Sequence, residues 1–177
     1  MKKTWMIILG VALICSPLAH AKPEEQAKRG QFSAKDYEFV CEAARGGITE
    51  VTLGELAKQK GNSSAVKNFG ERMIADHGKA NQELQKLATD KGASLPSELT
   101  GKHQKITQKM LELSGAEFDK AYAKHMTKDH TEDTKKFAEA AKSVKDPALK
   151  AFAEKTLPVL QEHLRMAEEM EKLVGVK

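Results

Sequence analysis

The chain has 177 residues, 31% of them charged, and a formal net charge of +4. That near-balance, with no basic block anywhere, gives no reason to expect a nucleic-acid partner. Two cysteines, one of them close to the N-terminus, exclude a disulfide-stapled scaffold, so stability must rest on packing.

The first 21 residues read as a cleaved secretory signal. Lys2 and Lys3 form a positive n-region, Trp5 to Ile14 an apolar run broken only by Gly10, and Ala19-His20-Ala21 the small-x-small site that signal peptidase cuts. Cleavage after Ala21 leaves 22–177, lowers the formal charge to +2 and places the protein in the periplasm. Leu13-Ile14-Cys15 offers a second reading, a lipoprotein box that would tether the chain through Cys15, although Ile14 is bulkier than the small residue such boxes carry. Cys41 is the one cysteine of the mature chain and is expected as a small buried hydrophobe. No later segment is long and apolar enough to be transmembrane.

Pro23 to Gln31 is polar, and 22–33 is taken as a flexible leader to a single domain over 34–177. From there apolar residues recur at three and four rather than two, the period of helices. A first helix is predicted over 34–60, closed by Gly61, and Asn62-Ser63-Ser64 makes a turn and cap for a second over 65–91. Gly92 and Leu95-Pro96 end it. A shorter helix over 98–113 follows and stops near Ser114-Gly115, then a long one over 116–143. Asp146-Pro147 opens the last, with Pro147 in the first turn, where its missing N–H costs nothing. Pro158 inside that helix predicts a kink. Gly46, Gly47 and Gly54 suit close approach between helices.

The segment from Ser64 to Arg72 echoes that from Pro147 to Lys155 at an offset of 83, which also sets Phe39 against Tyr122 and Ala57 against Ala140. Two copies of one helical hairpin, packed together, predict an all-α antiparallel four-helix bundle, with the short helix between the hairpins.

Histidine is the residue type with chemistry to explain. Met73-x-x-Asp76-His77 and Met126-x-x-Asp129-His130 share a pattern, and Glu162-His163 resembles their ends. Each of the three His occupies a position in an apolar helical stripe, between Met73 and Leu84, Met126 and Phe137, and Leu160 and Ala167. Counted from the hairpin turns, His77, His130 and His163 lie at similar depth, and Glu50 on the first helix is within five residues of that level, about 7.5 Å at 1.5 Å per residue. Three imidazoles and a carboxylate suit a divalent transition metal, zinc or copper before iron because the set is rich in nitrogen.

The same residues admit a second reading. Three partly buried His, each hydrogen-bonded to a carboxylate or backbone group, would belong to a metal-free structural or stress-associated envelope protein acting through a protein partner. Asp76, Asp129 and Glu162 lie one residue from their His, off its helix face, so they are not partners within one helix. Cys41, Met126 and Met166 form a softer layer that would suit Cu(I), but methionines at helical spacing normally fill a core. His103 and His125 are expected at the surface. No Gly-rich phosphate loop and no nucleophile–base pair has supporting context, so no catalytic residue is assigned and no enzyme is expected.

The run Met73-Ile74-Ala75-Asp76-His77 with Asn81, Leu84, Leu87-Ala88, Gly92 and Leu95-Pro96 resembles the signature of the family called domain of unknown function 4142. Ala43-Ala44, Gly46-Gly47, Glu50-Val51 and Leu53-Gly54-x-Leu56-Ala57 are similar to its opening helix. Leu113-Ser114-Gly115, Phe118-Asp119 and Met126-x-x-Asp129-His130 are similar to its second half. The resemblance covers about 36–173 and implies a ferritin-like bundle in exported bacterial proteins, often labelled "predicted outer membrane protein". No strands alternate here as a membrane barrel would need. The resemblance implies no activity. A di-iron site would want Glu three residues before His; Ile74, Thr127 and Leu160 stand there instead, which argues against ferroxidase or oxygenase chemistry.

Overall fold

The computed structural model describes residues 28–176. The expected signal, its cut site and Cys15 lie outside the described residues. Those described form five helices and no strand: α1 (Ala34–Lys60), α2 (Ser64–Asp90), α3 (Lys102–Glu112), α4 (Gly115–Ser143) and α5 (Pro147–Leu173). No helix among them is long and apolar enough to cross a membrane.

Local chemistry sets the boundaries. Ser33 Oγ accepts from Asp36 N at 3.1 Å and Ser63 Oγ from Ala65 N at 3.2 Å, each satisfying a free donor of a first helical turn. Asp146 Oδ1 does the same for Ala148 N and Leu149 N at 3.0 Å, ahead of Pro147. The short helix starts at Lys102 rather than 98 because Gly101, at φ +57°, breaks the chain direction just before it. Pro158 lies inside α5 without ending it. Residues 28–33, within the expected leader, dock on the helical body. Phe32 is buried in the core, and Lys28 O and Gln31 N bond to Ser94 N and Lys91 O at 2.8 and 2.9 Å.

α1 packs along α2 and α4 along α5. The two hairpins meet through α2 on α5 and α1 on α4, and α3 lies against α1. The offset of 83 runs through this arrangement: α2 and α5 begin at 64 and 147 and end at 90 and 173, and α1 and α4 end at 60 and 143. Each hairpin also clasps the other's turn. Asp119, in the first turns of α4, accepts from Asn62 N and Ser63 N at 2.9 and 2.7 Å. Asp36, its counterpart in α1, accepts from Lys145 N at 3.3 Å. Both aspartates are buried.

Glycines govern how close α1 comes to α2. A Cβ at Gly54 would stand 2.7 Å from Gly70 O, and one at Gly47 would overlap the Asn81 side chain. Gly46 has only an ordinary contact, with Asp133, so two of the three expected glycines serve the approach.

The interior divides into two apolar clusters. One holds Leu53, Met73, Met126 and Ala167; the other holds Ala44, Leu84, Phe137 and Leu160. Along each long helix the chain passes from one cluster to the other through a buried polar residue: Glu50 on α1, His77 on α2, His130 on α4 and His163 on α5. A polar layer therefore cuts the core.

Candidate metal centre

α2, α4 and α5 each deliver one imidazole to the middle of that layer. His77, His130 and His163 are 8%, 1% and 0% exposed. Their ring centroids are 5.8 Å apart for His77–His130, 5.3 Å for His77–His163 and 5.4 Å for His130–His163. One ring nitrogen from each lies within 4.8 Å of the other two. A tetrahedral ion with bonds of about 2.0–2.1 Å needs its nitrogens about 3.4 Å apart, so small side-chain rotations close the set.

The direction of each lone pair matters more than the spacing. His77 Nε2, His130 Nε2 and His163 Nδ1 are buried and have no hydrogen-bond partner. The other nitrogen of two rings is already held: His130 Nδ1 is 3.0 Å from Met126 O, and His163 Nε2 is 2.9 Å from Asp76 Oδ2. A carbonyl or a carboxylate there takes the ring N–H and leaves the opposite nitrogen as the acceptor, which is how metal-ligating His are oriented.

Electrostatics keeps the rings neutral. Burial, then the neighbouring His130 and His163, holds His77 well below the usual imidazole range. Burial and His163 bring His130 down to about 4. Burial also lowers His163, although Asp76 pulls the other way. Burial alone would raise the Asp76 carboxyl, but Arg72 and His163 outweigh it and hold it below the ordinary range, so it stays ionised beside His163. Neutral imidazole is the form that binds metal. Phe69 stands edge-on to His130 and His163, at 6.1 and 6.4 Å, as an apolar wall. A groove of about 140 Å³ between α2 and α5, lined by Asp76, His77, Lys155 and His163, gives the layer an approach from solvent.

Glu50, the fourth expected donor, goes elsewhere. Its carboxylate groups with His125 and Asp129 of α4, with one donor atom of each within 4.8 Å of the others. Gly47 and Gly54 define the face of α1 that meets α2, and Glu50 is rotated about 50° from it at 100° per residue, toward α4.

A family model described as Domain of unknown function (DUF4142) matches residues 21–170. The chain belongs to that family. Among solved structures, this DUF4142 chain is similar to the crystal structure of a DUF305 fragment from Deinococcus radiodurans, with a TM-score of 0.70 over 80% of this chain and 97% of that one. The identity is 9%, so the likeness is one of fold, an all-helical one. No curated protein matches the DUF4142 chain.

Three expectations need correction. His103 is not a surface residue: it lies in the first turn of α3 and is buried, with Nδ1 3.0 Å from Thr49 Oγ1 of α1. His125 is half-buried, its Nε2 shielded and unpartnered. Its spacing of four from Asp129 puts both on one helix face, which was the available signal. Cys41 is half-buried rather than buried. Of its supposed sulfur layer, Met126 is fully buried in one apolar cluster and Met166 packs against the same cluster, as core methionines do.

Proposed function

We propose that this chain is an exported, ferritin-like antiparallel four-helix bundle, with α3 as its extra helix, that holds a zinc or copper ion through His77, His130 and His163. The observation that supports it is the convergence of three buried, neutral imidazole nitrogens with no other partner. A structural role for these rings would be served by hydrogen bonds at both nitrogens, because a buried unpaired acceptor costs about 1–3 kcal/mol. An ion satisfies all three at once. Neutral nitrogen donors without a carboxylate favour zinc or copper over harder cations.

Three protein ligands leave a fourth position on the ion for water or another small donor. The reading is of binding and holding, and no catalytic step is assigned to the site. Delivery outside the cytosol follows from the signal over 1–21.

The test is metal analysis of the purified mature protein, followed by zinc and copper titration with unfolding monitored by circular dichroism. The expected result is one ion per chain and a metal-dependent rise in melting temperature. A stoichiometry unchanged in the His77→Ala, His130→Ala double variant would overturn the assignment.

A further inference from the structure

We infer that the protein carries a second cation site, separate from the three imidazoles, in which Glu50, His125 and Asp129 hold a harder divalent ion such as Mn²⁺. His125 and Asp129 are one turn apart on α4, and Glu50 faces them from α1. One donor atom of each lies within 4.8 Å of the other two. Glu50 is 0% exposed, and no N–H or side-chain hydroxyl among the described residues donates to its carboxylate; the group it faces, Asp129, is itself a carboxylate. His125 Nε2 is also shielded and without a partner. Buried polar atoms are paired in the great majority of cases, so a fully buried Glu50 carboxylate that receives no donor, beside an unpartnered His125 nitrogen, calls for a ligand.

Charge points the same way. Among the described residues, no Lys or Arg nitrogen lies within 4.0 Å of Glu50 or Asp129. The nearby lysines are committed elsewhere. Lys136 pairs with Asp133 at 3.0 Å and Glu42 at 3.7 Å, Lys102 with Glu42 at 2.5 Å, and Lys128 with Glu132 at 3.9 Å. Two carboxylates with no cation between them are balanced by one doubly charged ion. A set of two carboxylates and one imidazole is oxygen-rich, unlike the nitrogen-only layer beside it, and oxygen donors favour manganese-like ions over copper. Glu50 forms the floor, while His125 and Asp129, half-buried, leave the mouth within reach of solvent.

The rival arrangement is a proton shared between Glu50 and Asp129, with no metal. Mn²⁺ titration of the metal-free full mature protein, followed by the loss of the free six-line electron paramagnetic resonance signal, separates the two. The wild type should take up one Mn²⁺. Glu50→Gln, which keeps the shape, and His125→Gln, at a half-buried position, should each weaken uptake at least about tenfold, while His77→Ala with His163→Ala should leave it unchanged. Helix content by circular dichroism confirms that each variant is folded. No uptake by the wild type, or equal uptake by wild type and both Gln variants, overturns the second site and leaves the shared proton. Loss of Mn²⁺ only in the His77/His163 variant overturns it in favour of a single site.

Discussion

His130 should make the metal-free protein acid-sensitive by an amount that one substitution can isolate. Burial and His163 lower its pKa from 6.5 to about 4. The unfolded chain takes up this proton near pH 6.5, whereas the folded chain resists it until about pH 4. Stability from this group is therefore complete above pH 6.5 and lost as pH falls through the window down to about 4. At about 1.4 kcal/mol per pH unit, the loss comes to about 3 kcal/mol, a large part of the total stability of a domain this size. Glu50 and Asp133 act in the opposite sense. Burial and Asp129 hold both carboxyls up, Asp133 to about 6, so their protonation stabilises the fold as pH falls. A wild-type curve alone would mix the two effects; His130→Leu removes only one. Urea unfolding of both proteins in chelator, in steps from pH 7.5 to 4, should give curves that diverge by about 3 kcal/mol toward the acid end, with the wild type falling more. Parallel curves would refute the account of a ring held neutral by its burial.

Two more outcomes follow from particular bonds. Asp76→Ala removes the carboxylate that holds His163 Nε2 at 2.9 Å, and should weaken zinc binding roughly 10–100-fold while leaving one ion per chain at saturation; isothermal titration reads this, and an unchanged affinity would mean that Asp76 does not orient the ring. Asp119→Ala strips the acceptor from Asn62 N and Ser63 N, and should cost about 3 kcal/mol in urea unfolding, more than Asp36→Ala, because Asp36 accepts only one longer bond from Lys145 N; equal losses would count against the clasp.

Helix identity and most boundaries were legible because apolar residues at three and four, closed by Gly61 or opened by Ser63 and Asp146-Pro147, are local signals. The hairpin repeat was legible for the same reason, since matched starts and ends need only a constant offset. The depth count placed Glu50, His77, His130 and His163 in one layer, and the structure puts all four between the same two apolar clusters. It could not say which way Glu50 turns within the layer. Depth fixes position along a helix, whereas rotation depends on which face the neighbour takes, and Gly47 and Gly54 give that face to α2. His103 and His125 were misplaced on the surface because α3 covers this side of α1, and the partner of an 11-residue helix cannot be read from its own periodicity.

The repeated Asp-His pair shows what such periodicity leaves open. Consecutive residues on a helix diverge by about 100°, so when His77 or His130 points into the layer, the preceding aspartate must point sideways to a neighbouring helix. From α2, Asp76 reaches α5 and fixes His163. From α4, Asp129 turns to α1 and meets Glu50. One short pattern thus supplies both an inward nitrogen and a lateral carboxylate, and the identity of the neighbour decides what the carboxylate does. Beside an imidazole it holds the ring nitrogen; beside another buried carboxylate it pushes that carboxyl's pKa up. The two candidate sites are in this sense one motif used twice, on two faces of the same polar layer. Loading one should leave the other's ligands in place, because they share no donor atom.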